Sequence, residues 1–125
     1  MAFHVERIDH VVLRVDDLEA MVRFYEQALG FKVERRVADA GLVQMRAGAS
    51  MLDLIRAERP TRGANMDHLC FLVTPFDRPS MEASLSRFGI ALGETVERYG
   101  AQGHGLSVYF DDPEGNKIEF KGPSD

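Results

Sequence analysis

The chain has 125 residues, 45% of them hydrophobic and 28% charged, enough for one compact unit of ordinary domain size with a real core. A formal net charge of −5 argues against a nucleic-acid surface, which needs a basic stripe. No apolar run is long enough to span a bilayer, no secretory leader pattern follows Met1, and the single cysteine, Cys70, excludes an intramolecular disulfide, so a reducing cytoplasm is the expected compartment.

In chain order, 8-IDHVVLRV-15 reads as a strand. Asp16, with Glu19 three positions on, reads as a helix cap. Leu18, Met21, Val22, Tyr25 and Leu29 then recur at helical spacing, and Gly30 is a stop. Strands are expected at about 31–37, 41–47 and 50–56, broken by Ala-Asp-Ala-Gly and Ala-Gly-Ala. The pattern then repeats. The stretch 66-MDHLCFLV-73 has the layout of the first strand, and its histidine lies 58 residues on, at His68 against His10. Asp77 and Pro79 open a second helix carrying Met81, Leu85 and Phe88, which Gly89 closes. Strands follow at about 91–98, 105–111 and 116–121, separated by 99-YGAQG-103 and by the turn 112-DPEGN-116. The order strand, helix, three strands is written twice: module one at about 5–58, module two at about 64–122, together one domain over 1–125.

Each module thus offers a histidine near the start of its first strand and an acid on its last, Asp53 in the first and Glu119 in the second. Strand alternation puts His10, Val12 and Arg14 on one face, and likewise Lys117, Glu119 and Lys121, and Ser107, Tyr109 and Asp111. The apolar residues between them take the opposite face, against the helices. Polar groups in such strands cost free energy unless something satisfies them. Two imidazoles and two carboxylates converging would make a divalent-metal site suited to zinc, iron, manganese, nickel or cobalt.

The stretches 8-IDHVVLRVDDLEAMVRFYEQALGF-31 and 107-SVYFDDPEGNKIEF-120 resemble the vicinal oxygen chelate superfamily, which groups glyoxalase I, extradiol dioxygenases and bleomycin-resistance proteins. The resemblance implies an α+β fold of paired βαβββ modules, whose mixed sheet curls into an open cup with the helices outside. It implies one divalent metal per site held by His10, Asp53, His68 and Glu119. The glyoxalase I pattern fits best: His10-x-x-Leu13-Arg14-Val15-x-Asp17-Leu18 matches the bacterial enzymes at every fixed position. There the arginine, here Arg14, binds a glutathione carboxylate. The implied reaction isomerises a hemithioacetal, with Glu119 as first choice of base and Asp53 as second, while the metal stabilises the enediolate oxygens.

Three departures are visible. The family usually has glutamate at Asp53, its asparagine four positions later is Ala57, and the insertion before the second histidine shrinks to 59-RPTRGAN-65. An extradiol dioxygenase is the alternative, using His10, His68 and Glu119 as a facial triad for iron, with Tyr109 on substrate. A fosfomycin-type thiol transferase and a non-catalytic binding protein are further alternatives. Arg14 is either a substrate anchor or a partner for an acid, and Tyr109 either a packed tyrosine or a substrate contact. His104 is read as an exposed loop residue that could touch substrate, Cys70 as a buried small thiol, and His4 as a terminal surface residue. Asp9 and Asp67 are read as caps or partners of nearby backbone or cations. The expected partner is a small molecule, with a thiol such as glutathione possible, and no nucleic acid or membrane. A homodimer would build each site from His10 and Asp53 of one chain and His68 and Glu119 of the other.

Overall fold

A computed structural model describes residues 7–57 and 65–124. The chain divides into two compact units, Met1–Arg59 and Pro60–Asp125. His4 and 59–64 of the shortened insertion lie outside the described residues. No described helix is long and apolar enough to cross a membrane.

The first unit runs β1 (His10–Val15), α1 (Leu18–Leu29), β2 (Lys32–Val37), a 3-10 turn (Ala38–Ala40), β3 (Leu42–Ala47) and β4 (Ser50–Arg56). Its sheet has the order β1-β4-β3-β2, with β1 parallel to β4 and the other pairs antiparallel. Helix α1 starts at Asp17, one residue later than expected: the Asp17 carboxylate accepts from Ala20 N at 3.1 Å. Gly30 ends the helix at φ 74°, a left-handed conformation that glycine adopts without a steric penalty. Leu18, Met21, Val22, Phe24 and Tyr25 form the buried stripe of α1. They share the core with Leu13, Val15, Val43, Met45, Leu52 and Leu54 of the sheet. Each such side chain contributes about 1.5–3 kcal/mol on burial, so a charge at Leu54 or Met45 would cost more than this half can spare.

The second unit repeats the plan: β5 (Leu69–Leu72), α2 (Arg78–Ser86), β6 (Val96–Gly100), β7 (Gly103–Asp111) and β8 (Lys117–Lys121). The sheet order is β5-β8-β7-β6, again with the first pair parallel. The paired βαβββ architecture expected from the sequence is therefore present as two mixed four-stranded sheets. Met81, Leu85, Val108, Phe110, Ile118 and Phe120 are its buried apolar residues, with the Phe110 and Phe120 rings 4.9 Å apart.

Two local expectations are corrected. Helix α2 stops at Ser86, before Phe88 and Gly89. The strand expected over 91–98 begins only at Val96. Arg78 explains the second difference, because its guanidinium donates to Gly93 O at 2.7 Å, Thr95 Oγ1 at 3.0 Å and Leu92 O at 3.5 Å. With those oxygens bonded to Arg78, Gly93 keeps a bond to β7 through its N–H, which donates to Tyr109 O at 2.9 Å. Strand β6 instead extends through Tyr99 and Gly100, so the break before β7 narrows to Ala101 and Gln102. The turn after β7 forms as its chemistry requires: the Asp112 carboxylate accepts from the backbone N–H groups of Glu114 and Asn116, both at 2.9 Å.

Candidate functional site

Each unit carries a row of three side chains on one face, with a histidine beside it. In the first, Val12, Asp53 and Gln44 stand side by side on β1, β4 and β3, and so project from one face. His10 and Arg14 flank Val12 on that face. In the second, Cys70, Glu119 and Tyr109 form the corresponding row on β5, β8 and β7, with Leu72, Lys121 and Ser107 in the next. His68 lies just ahead of β5, where His10 opens β1.

Both acids are buried, Asp53 to 3% exposure and Glu119 to 5%, and each is held by a donor from the neighbouring strand. Gln44 Nε2 donates to Asp53 Oδ2 at 3.1 Å, and Ser107 Oγ to Glu119 Oε2 at 2.7 Å. Each donor leaves one carboxylate oxygen over. In Glu119 that oxygen, Oε1, faces His68 Nε2 at 3.3 Å. In Asp53 it is Oδ1, which is buried with no hydrogen-bond partner among the described residues. A buried carboxylate oxygen without a partner costs free energy that a native fold carries only when something else satisfies it.

The histidines repeat too. His10 Nδ1 donates to Asp9 Oδ2 at 2.8 Å, and His68 Nδ1 to Asp67 Oδ2 at 2.6 Å. A hydrogen on Nδ1 leaves Nε2 of the neutral ring with its lone pair, the form in which imidazole binds a metal. The Asp9 hydrogen bond, reinforced by the charge of Asp53, raises the pKa of His10. The bond to His68 lowers that of Asp67. Asp9, Asp67, Gln44 and Ser107 take parts not expected of them from the sequence; the signal for the first two was the repeated Asp-His pair.

This donor set fits a divalent metal. Two ligands at about 2.1 Å from one ion stand roughly 3.0–3.4 Å apart at tetrahedral to octahedral angles. The 3.3 Å between His68 Nε2 and Glu119 Oε1 matches that separation. The unpartnered Asp53 Oδ1 supplies the matching vacancy in hydrogen bonding in the other half. Each half alone carries a histidine and an acid as candidate ligands. Within either half, no three His, Cys, Asp or Glu side chains among the described residues converge to hold a metal.

The second unit contains a cavity of about 350 Å³ beside this pair. His68, Cys70, Leu72, Glu119 and Lys121 line it from β5 and β8, and the segment from Tyr99 to Gln102 closes one side. Cys70 corrects the sequence reading: it is exposed rather than a packed core thiol, because it shares the face of His68. Partial burial, with Glu119 beside it, pushes its pKa up to about 11. Tyr109 packs edge-on against His68, ring centroids 5.8 Å apart, and its hydroxyl accepts from Arg98 Nε at 3.3 Å. Arg14 projects from β1 on the His10 face. His104 lies in β7 rather than a loop; its alternation puts it opposite Ser107 and Tyr109, where it meets Glu97 at 3.4 Å and the ring of Tyr99.

Comparison with known proteins gives a consistent set of likenesses. Residues 7–120 match the family described as the Glyoxalase/Bleomycin resistance protein/Dioxygenase superfamily. The virulence protein STM3117 of Salmonella typhimurium is 37% identical over 124 residues, spanning 93% of this chain and 83% of that protein. The crystal structure of STM3117 covers 98% of this chain and 100% of its own, at 29% identity and a TM-score of 0.76. A lactoylglutathione lyase from Agrobacterium tumefaciens is 25% identical over 94% of each chain, with a TM-score of 0.67. The fosfomycin resistance protein FosX of Mesorhizobium loti, 18% identical over 97% of this chain and 95% of its own, shares the fold with a TM-score of 0.75.

Proposed function

This chain belongs to the glyoxalase/bleomycin resistance protein/dioxygenase superfamily, and from that premise we propose that it is a metal-dependent, glyoxalase I-like lyase. Its substrate is a small oxygenated molecule such as a hemithioacetal. The observation that carries the reading is the buried, unpartnered Oδ1 of Asp53, set in a half-site whose counterpart is Glu119 with His68. In this reading His10, Asp53, His68 and Glu119 would hold one divalent ion (nickel, zinc, cobalt, manganese or iron). Both half-sites would come from one chain or from the two chains of a homodimer. The ion would supply Lewis-acid stabilisation of the enediolate oxygens.

The remaining chemistry belongs to the protein. Glu119 is the base, its carboxylate removing a carbon-bound proton and returning it to the adjacent carbon, while Ser107 holds its Oε2 in place. Isomerisation needs no net gain or loss of protons, so one carboxylate suffices. Asp53 is the second choice for this role. Asp9 and Asp67 orient the imidazoles through Nδ1. Arg14 takes a substrate carboxylate, and a thiol such as glutathione is the co-substrate; the likeness to the Agrobacterium lyase supports this choice.

One observation favours a second reading, extradiol ring cleavage. Tyr109 stands directly beside Glu119 in the sheet and against His68, where its hydroxyl could meet a catechol. Purified protein loaded in turn with nickel, zinc, cobalt and ferrous iron separates the two. Thioester formation from a methylglyoxal–glutathione adduct supports the lyase. Oxygen uptake with a yellow product from catechol under ferrous loading supports the dioxygenase. Neither activity with any metal, alongside ligand protection against heat, would leave a binding protein.

A further inference from the structure

We propose that Lys121 makes the cavity of the second half an anion site, selecting a small oxygenated molecule that carries a carboxylate or phosphonate. The inference deepens the lyase reading and rests on it for the identity of the neighbouring groups, but the ammonium has a case of its own. Lys121 follows Glu119 by two residues on β8, so both side chains leave the sheet on the same face and line the same cavity. It is only 5% exposed. A buried ammonium is costly unless its three N–H donors are satisfied. Among the described residues its partner is a single carbonyl, Gly122 O, at the long distance of 3.4 Å. Among the described residues no ion pair joins Lys121 to Glu119, whose Oε2 accepts from Ser107. Donor capacity and positive charge are left over.

The surroundings keep a slot open for this side chain. A Cβ on Gly105 would sit 2.9 Å from Lys121 Nζ and equally close to Gly122 O and Pro123 O. A Cβ on Gly100 would sit 3.1 Å from Lys121 Cδ and Cε. A side chain at Gly105 would clash with the lysine and with two backbone oxygens, and one at Gly100 would press on the lysine stem. The Lys121 side chain lines the cavity together with Glu119 and Cys70. Leu72 and Ala101 add apolar wall, and 350 Å³ lies at the small end of ligand sites. An anion reaching Nζ would complete the lysine's hydrogen bonds, and a bound metal would offset the carboxylates, leaving the wall net positive.

The test titrates the whole chain, metal-free and zinc-loaded, with glycolate and methylphosphonate as probes and ethylene glycol as the uncharged control. Calorimetry gives affinity, and the Lys121 ε-methylene resonance reports contact. The expected result is saturable binding of both anions with movement of that resonance in either metal state, and no movement with ethylene glycol. K121Q should weaken both anions by about tenfold or more while K121R restores part of the loss, with bound zinc per chain unchanged. The proposal is overturned if K121Q binds the anions as the parent does, or if neither anion moves the resonance in the parent chain, a readout that needs no variant to fold. Anion binding without zinc binding would sink the metal reading and keep this one; zinc binding without an anion response would do the opposite.

Discussion

Replacing Asp53 by asparagine should stabilise the metal-free protein, although it alters a buried residue. The parent carboxylate is 3% exposed, with Gln44 Nε2 on one oxygen and no hydrogen-bond donor among the described residues on the other. Asparagine has the same shape and still accepts from Gln44, but it replaces an unpartnered charge by an unpartnered neutral amide. Leaving a buried polar group unsatisfied costs about 1–3 kcal/mol, and more when it is charged, so D53N should recover an amount of about that order. For a chain of this length that is a rise of roughly 3–10 °C in Tm. Zinc should reverse the ranking: at about a hundred times its Kd a ligand adds about 2.7 kcal/mol to the parent, and D53N, short of one charged ligand, should gain much less. Thermal melts of both proteins with a chelator and with zinc measure all four values. A lower Tm for metal-free D53N, or an equal zinc-induced gain in both proteins, would refute the reasoning.

Ser107→Ala removes a buried hydroxyl from Glu119 and should cost about 1.5–3 kcal/mol in urea unfolding, since hydrogen bonds to charged groups are the stronger class. Asp67→Ala should lower zinc affinity by about 10–100-fold in competition with a chelator, with the melting curve of the metal-free protein little changed, because Asp67 is exposed and acts through His68. Cys70, with its pKa pushed up to about 11, should stay protonated at neutral pH. Near pH 8 a free thiol is about a quarter ionised and this one about a thousandth, so iodoacetamide should alkylate it roughly 200-fold more slowly. The rate should climb about tenfold per pH unit until about pH 10, and a rate at pH 8 equal to that of free cysteine would contradict the assigned surroundings.

The repeated order of elements was legible because both halves carry the same two periodicities, alternation in the strands and a helical stripe in α1 and α2. Helix ends were less legible. Asp16 and Asp17 are both competent caps, and the choice fell to whichever carboxylate could reach a free N–H, which was Asp17 to Ala20. Strand β6 was misplaced because Arg78 lies fifteen residues before Gly93, and nothing local marks carbonyls that a distant guanidinium will claim. The candidate ligands were named by their repeat, yet the groups that orient them were only half visible. Asp9 and Asp67 adjoin the histidines in sequence, whereas Gln44 and Ser107 become neighbours of the acids only through cross-strand register. Cys70 was misjudged by its residue type: strand alternation alone, which sets it with His68 and Leu72, would have exposed it.

Counting metal on the purified chain is the most direct measurement of the central claim. The account predicts about one divalent ion for each pairing of a His10–Asp53 half with a His68–Glu119 half, lost in His68→Ala and in Glu119→Ala while both variants stay folded. Full retention by both, or a folded parent that takes up no nickel, zinc, cobalt, manganese or iron, would contradict it.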